Sequence, residues 1–260
     1  MDSQPSINVP DEANLNTVLL AGYLPSTKEY STEIRQYPGN NAHAPWGSHG
    51  IFNFEIKFYE NGLQVASAHS PTCDEKGFLH MDLGAVAEQC GHPMKGMFVI
   101  EFHHTKDIPV ELYAFHIHKS TGTYVSCNVS PFIGDILYPT VHSDQMENTI
   151  FWPGLVAGTD NETHIVVVNP YDVSMGFQVH LIGDGGVRER TKIQHLKAKY
   201  GEEFPLAGFF PDLEEKIRAT NGKLALCISA QYKLVAYVMF KNRGSQIMSM
   251  VDHLHTFCLA

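Results

Sequence analysis

Two histidines spaced two residues apart, His116 and His118, are the feature of the sequence that most suggests chemistry. On a β-strand, residues i and i+2 point to the same face, so the two imidazoles can reach one common ion. Neutral imidazole is the commonest protein ligand for metals. The spacing therefore indicates a candidate site for a divalent transition metal such as zinc or iron.

Other histidines of the first half are candidates for a third ligand. His103 and His104 are predicted on the preceding strand, and His142 lies in the segment that follows the pair. Glu101 or Asp135 would supply a carboxylate. The alternative is that these imidazoles only form hydrogen bonds within a packed strand or interface, which needs no metal.

A compact loop at residues 46–50 is a candidate for small-molecule binding. Trp46 offers an aromatic face and His49 a polar ring, so both are candidate ligand-binding residues at a pocket rim. The alternative is a glycine turn capped by a packed tryptophan.

A cupin-like barrel is a second way to use the histidine pair. Residues 134–142 resemble the second cupin motif in their Gly-Asp, Pro and His. They depart from it because the proline and the histidine come too early, and because no glutamate follows His118 at the expected distance. Both departures put a cupin metal site in doubt.

Several other kinds of chemistry have no motif in the chain. The sequence has no G-x-S-x-G elbow, no G-x-G-x-x-G and no Walker-type loop, so neither nucleophilic catalysis nor a nucleotide cofactor is expected. Its five cysteines include no C-x-x-C pair, which argues against a disulfide framework and a thiolate zinc site. No catalytic residue is identified, so whether the protein is an enzyme stays open.

The elements that would position these residues are strands of an internal repeat. Residues 54–62 match residues 177–185, because each is an alternating apolar run that ends in a turn dipeptide. Asn61-Gly62 and Asp184-Gly185 are predicted to supply the positive φ values of a type I′ turn. Both segments are therefore predicted to be a strand followed by a hairpin.

The repeat continues downstream. Asp82 and Asp212 each open a short helical stretch, closed by Gly96 and Gly222, and residues 110–115 then correspond to residues 234–239. In this comparison His116 and His118 fall opposite Phe240 and Asn242. The shared fold does not need histidine at these positions, which sharpens the site hypothesis for the first half.

These patterns predict an all-β protein made of two tandem antiparallel β-sandwich-like units, each with one short helix. The predicted organisation is an N-terminal arm at 1–17, unit 1 at 18–132, a connector at 133–148 and unit 2 at 149–260.

Each half also resembles the small β-sandwich family of the bacterial sensory rhodopsin transducer, here as a tandem duplication. The resemblance rests on a Thr-x-x-(V/I) strand start, an Asn-Pro turn, an alternating strand that ends in Asp-Gly and a late Leu-Val-Ala-Tyr strand. It implies a soluble oligomeric protein that acts through binding. No functional residue is carried over from it.

Composition narrows the partners and the compartment. A net charge of −10 without a basic stripe argues against nucleic acid and anionic membrane as partners. The absence of a long apolar run and of a secretory signal predicts a cytoplasmic protein. The sequence therefore predicts a non-enzymatic binding or assembly protein, a homo-oligomer that presents paired units to a small ligand or a protein partner. The alternative is a metal-dependent enzyme that uses His116 and His118.

Overall fold

The computed structural model describes residues 18–21, 29–36, 54–70, 79–93, 99–103, 112–129, 148–152, 154–155, 160–231 and 234–256. Five candidate site residues lie outside the described residues: Trp46, His49, His104, Asp135 and His142. So do the predicted N-terminal arm and all of the predicted connector except Asn148.

The described part of the first half contains eight strands and one helix. They are β1 (Val18–Ala21), β2 (Tyr30–Gln36), β3 (Glu55–Glu60), β4 (Leu63–His69), β5 (Leu79–Asp82), α1 (Leu83–Gln89), β6 (Val99–His103), β7 (Tyr113–His118) and β8 (Tyr124–Asn128).

The described part of the second half adds ten strands and two helices. They are β9 (Asn148–Trp152), β10 (Asn161–Asn169), β11 (Met175–Gly183), β12 (Arg188–Arg190), β13 (Gln194–Leu196), β14 (Tyr200–Pro205), α2 (Leu206–Phe209), α3 (Leu213–Ala219), β15 (Leu224–Ala230), β16 (Val235–Asn242), β17 (Met248–His253) and β18 (His255–Thr256). The four-residue helix α2 has no described counterpart in the first half.

The strands form four antiparallel sheets, so the predicted all-β class is confirmed. Sheet I has the order β1-β6-β3-β4 and sheet II the order β5-β2-β7-β8. Sheet III has the order β14-β10-β16-β17, and sheet IV the order β12-β11-β15-β9-β18, with β13 also paired to β11.

The strand order of the first half recurs in the second. Sheets II and III match strand by strand, and so do sheet I and the β9-β15-β11-β12 part of sheet IV. The register recurs too: Thr32 lies opposite His116 in sheet II, and Thr163 lies opposite Phe240 in sheet III. Descent of the two halves from one duplicated unit stays a prediction, which this order supports.

The turns and helix ends differ from the sequence prediction in detail. Asn61 and Gly62 have positive φ values of 52° and 85°, as a type I′ turn requires. After β11, positive φ falls at Gly185 (72°) and Gly186 (86°) and not at Asp184. Two consecutive glycines carry no Cβ, so the left-handed pair moves one residue along the chain.

The two helices that begin directly after an aspartate differ in their N-terminal caps. Asp82 accepts hydrogen bonds from the backbone N–H groups of Gly84 and Ala85 at the start of α1. Asp212 makes no side-chain cap on α3 and binds Lys216 instead. The helix α1 ends at Gln89, several residues before the predicted stop at Gly96.

The buried apolar side chains of the described residues form two hydrophobic cores. The first combines residues of both halves, and the second lies within the second half. Strand β10 serves both, because Val166 and Val168 belong to the first core while Ile165 and Val167 belong to the second. Sheet III is therefore buried on both faces at β10, as a continuous apolar run predicts.

Hydrogen bonds between tyrosine side chains and the backbone also join the halves. Strand β8 lies beside β17. The Tyr237 hydroxyl donates to the carbonyl of Val129 at 3.1 Å, and the backbone N–H of Met248 donates to the Tyr30 hydroxyl at 2.8 Å. Among the described residues, no helix has the length and apolar character needed to cross a membrane.

Candidate functional site

His116 is a core residue of sheet II. Its side chain is 1% exposed, Nδ1 lies 3.1 Å from Thr32 Oγ1, and Nε2 lies 4.0 Å from Cys127 Sγ. Burial lowers the pKa of His116 to about 4, so the ring is neutral at physiological pH. Both ring nitrogens thus have protein neighbours inside the core.

His118 shares the strand but not these neighbours. Its Nδ1 lies 2.9 Å from Thr121 Oγ1 at the end of the β7–β8 hairpin. Its ring packs edge-on against Tyr30, with the ring centroids 5.1 Å apart. The two imidazoles therefore lie in different surroundings, one in the core and one beside the turn.

His103 belongs to a different sheet from the histidine pair. It lies on β6 of sheet I, whereas His116 and His118 lie on β7 of sheet II. Consecutive strands need not pair, and here they join opposite sheets. Among the described residues, no group of three or more His, Cys, Asp or Glu side chains is placed to hold a metal ion. The predicted metal site stays a prediction, since His104 and His142 lie outside those residues.

Glu101, named above as a possible carboxylate ligand, is the centre of a buried polar cluster. Its side chain accepts hydrogen bonds from Lys199 Nζ at 2.6 Å and from the Tyr59 hydroxyl at 3.1 Å, and His103 Nε2 lies 2.9 Å away. Lys199 comes from the second half of the chain, so the cluster joins the two halves. No local sequence signal pointed to Lys199, which lies 98 residues from Glu101.

The protonation states in this cluster follow from burial and charge. Burial alone would raise the pKa of Glu101, but the contacts with His103 and the positive charge of Lys199 outweigh it and hold the pKa at about 2. Burial and the neighbouring Glu101 charge both raise the pKa of Tyr59. Glu101 is therefore an anion whose oxygens are already engaged, which suits a structural role.

Cys127, next to His116, is a poor nucleophile. Burial, with a smaller contribution from the Asp252 carboxylate, raises the pKa of the Cys127 thiol to about 12. The reactive form of a cysteine is the thiolate, which is scarce at neutral pH when the pKa is raised so far. The Cys127–His116 pair is thus unsuited to nucleophilic catalysis.

The outward face of sheet II carries a row of ordered aromatic and cationic side chains. The Arg35 guanidinium lies 4.4 Å from the centroid of the Phe115 ring, and the Phe115 and Tyr124 rings are 5.7 Å apart. Arg35 also pairs with Glu33 at 2.5 Å. We call the surface formed by Arg35, Tyr113, Phe115, Ile117 and Tyr124 the Tyr124 face. No motif in the sequence pointed to this face, and the alternation of β7 was the signal that could have identified its residues.

Exposure on the Tyr124 face differs from that at matching positions of the second half. Tyr124, opposite Ile117 in the register, is 64% exposed. Met248, opposite Lys241 at the matching place of sheet III, is 5% exposed. The same position is thus open in one half and covered in the other.

A cavity of about 370 Å³ lies in the second half, beside α3. Its charged lining includes Glu214, whose carboxylate binds both Arg218 and Arg243. Glu214 offsets part of the positive charge that the two guanidiniums would offer to an anionic ligand. The cavity is a weaker candidate site than the Tyr124 face.

Comparisons with known proteins leave the family open. No family model matches the chain, and no curated protein matches it. Similar solved structures include a calcium-binding mutant of Bacteroides uniformis β-glucuronidase 2 (9% identity, TM-score 0.16) and the same enzyme covalently bound to cyclophellitol-6-carboxylate aziridine (8% identity, TM-score 0.17). Each alignment covers 92% of this chain and 26% of the other, so the chain spans about a quarter of the length of these structures. TM-scores this low carry no argument about fold or function.

Proposed function

We propose that the chain is a non-enzymatic binding and assembly protein, and that the Tyr124 face is its binding surface. The observation that carries the proposal is the 64% exposure of Tyr124 on a sheet face whose counterpart is buried. Monomeric proteins rarely leave contiguous apolar patches open without a use for them.

The composition of the face favours a protein partner. Tyrosine and arginine are enriched among the residues that dominate protein–protein binding, and phenylalanine is enriched in interface cores. The contacts of Arg35 with Phe115 and of Phe115 with Tyr124 hold these side chains in place before any partner arrives. A pre-ordered surface loses less conformational entropy on binding.

The surroundings of His116, Cys127 and Glu101 support binding better than catalysis. His116 is neutral and buried, and the Cys127 thiol is protonated, because burial opposes charge on both groups. Glu101 is engaged by three side chains. These groups act as parts of the packed interior, which leaves the exposed sheet face as the better candidate for function.

Binding of anilinonaphthalene sulfonate, a dye that fluoresces on apolar protein surfaces, tests whether the face is an open binding surface. At submicromolar protein, where a weakly bound partner leaves the face open, wild type should enhance the dye fluorescence and Tyr124→Arg should lose most of the enhancement. The control is Leu63→Arg, because Leu63 is 71% exposed on the β3–β4 hairpin and takes the same charge. Equal enhancement in wild type and Tyr124→Arg would contradict the proposal.

Metal analysis tests the proposal against the metal-dependent enzyme. We expect the purified protein and the His116→Ala/His118→Ala variant to carry the same substoichiometric metal. One equivalent of zinc or iron in wild type that the double variant loses would overturn the binding proposal in favour of the enzyme.

A further inference from the structure

Equivalent residues of sheets II and III differ in how deeply they are buried. The face of sheet III that matches the Tyr124 face carries Val166, Tyr237, Met239, Met248 and Val251, all buried in the first core. On sheet II, by contrast, Arg35 and Phe115 keep partial exposure and Tyr124 is open. In the part of the chain that the structure describes, one of the two equivalent faces is buried and the other is exposed.

The cover on sheet III comes from this chain itself. Its buried face shares one core with Phe54, Phe102 and Ala114 of the first half. The hydrogen bonds from Tyr237 to Val129 and from Met248 to Tyr30 lie at this contact. A face with this strand order and register therefore already packs against the same kind of β-unit.

From this equivalence we infer that the Tyr124 face is the docking surface for a second copy of the chain, bound face to face through the same surface of its partner. The inference rests on the proposed binding function and adds the identity of the partner. Most homodimers are two-fold symmetric and place one patch against itself, so the patch must be self-complementary.

The charges on the face meet that requirement. Glu33 and Arg35 lie two residues apart on β2, so the acidic and basic groups sit side by side on each copy. On β5, the His80 Nε2 lies 2.8 Å from Glu33 Oε2 and holds this carboxylate in place. A two-fold rotation would bring Arg35 of one copy toward Glu33 of the other, while the Phe115 and Tyr124 rings form the apolar centre.

The net charge of −10 on each copy opposes association, and this gives the inference a distinctive signature. Salt screens the long-range repulsion between two like-charged molecules. Self-association through an apolar centre should therefore strengthen as salt rises. Association held mainly by ion pairs would weaken under the same change.

Sedimentation velocity tests the inference. The protein concentration should run from about 1 to 100 µM, because this range resolves a micromolar dissociation constant. Wild type should shift from monomer to dimer with concentration. Tyr124→Arg should weaken dimerisation by at least about 30-fold, the effect of losing one dominant interface residue. Tyr124→Phe, which keeps the ring, should stay within about threefold of wild type. Leu63→Arg is the charge-matched control and should also dimerise like wild type.

Three results would overturn the inference. They are a wild type that stays monomeric throughout, a dimer that Tyr124→Arg leaves intact, and an equal loss in Tyr124→Arg and Leu63→Arg. Circular dichroism and melting curves of each variant show whether the fold is kept. A monomeric wild type that still shows Tyr124-dependent dye binding would overturn the second copy alone, and the proposed binding function would then require a different protein partner.

Discussion

The two halves of the chain share strand order and register but differ in what covers one face of the matching sheets. In sheet III that face is buried by the first half, and in sheet II it is open at Tyr124. The pattern of backbone hydrogen bonds therefore does not determine exposure. Exposure depends on which neighbour packs against the sheet, and among the described residues only sheet III has a neighbour that buries this face.

The inward faces differ as well. His116 of sheet II stands where sheet III has Phe240, and each lies opposite a threonine. A neutral imidazole that contacts Thr32 fills the same place as a phenyl ring. The fold accepts either because the interior selects first for volume and then for satisfied polar groups.

The largest expected effects come from the matched aromatic residues of the two cores. Phe54 and Phe177 are both 0% exposed, so Phe54→Ala and Phe177→Ala should each destabilise the protein by about 3 to 5 kcal/mol. Urea unfolding measures both, and Leu63→Ala, at a 71% exposed position, should stay within about 0.5 kcal/mol of wild type. Unchanged midpoints for both phenylalanine variants would show that these rings are not core.

The sequence sufficed to predict the parts of the fold that depend on local patterns. The alternation of residues 54–60 predicted β3, and the Asn61-Gly62 dipeptide predicted its turn. The apolar run 165–168 could also have indicated that β10 is buried on both faces, unlike the alternating β2. That contrast was the available signal for the uneven exposure of the two sheets.

The arrangement of the candidate site could not be predicted in the same way. Whether β6 and β7 share a sheet depends on strand pairing between distant segments, and they lie in opposite sheets. Lys199 approaches Glu101 only after the two halves pack together. Local spacing placed His116 and His118 on one strand, but it does not determine that only His116 enters the core.

The cluster at Glu101 should show the next largest effect, because it joins the halves. Glu101→Gln removes the buried charge that Lys199 needs and should destabilise the protein by about 3 kcal/mol. Glu55→Gln is the matched control on the same sheet, where a 3.8 Å contact with Lys57 at a more exposed position should contribute under about 1 kcal/mol. Adding Lys199→Met to Glu101→Gln should recover part of the loss, and no recovery would separate Lys199 from the effect.

The difference between His116 and Phe240 predicts a pH dependence of stability. The pKa of His116 is about 4 in the folded protein and about 6.5 when unfolded, so the unfolded chain takes up a proton first as the pH falls. Wild type should thus lose about 2 kcal/mol more than His116→Phe between pH 7.5 and 5. Urea unfolding at the two pH values measures the difference. Glu101 and Glu203 titrate at lower pH and are present in both proteins, so parallel pH profiles would contradict the buried neutral imidazole.

The smallest expected effect concerns a contact between a glutamate and a histidine on neighbouring strands. The first half has the glutamate on the central strand and the histidine on the edge strand, and the second half has them exchanged. Sheet II pairs Glu33 on β2 with His80 on β5 at 2.8 Å, whereas sheet III pairs His164 on β10 with Glu203 on β14 at 2.7 Å. In both sheets the partners are diagonal neighbours with the same offset, since Glu33 lies opposite Asp82 and His164 lies opposite Pro205.

Burial should make the second-half pair the stronger of the two. Contacts with His164 and Lys241 outweigh the burial that would raise the pKa of Glu203, and they hold it at about 2. Glu203→Gln should therefore destabilise the protein by about 1.5 kcal/mol, and Glu33→Gln by about 0.5 kcal/mol because its partners Arg35 and His80 are partly and mostly exposed. Both are measured by urea unfolding in the Tyr124→Arg background, so that dimerisation does not contribute.

Raising NaCl to about 1 M should remove the Glu33 effect and leave most of the Glu203 effect, since screening acts on exposed pairs. Equal salt sensitivity in the two variants would mean that the halves do not differ in how they shield this pair.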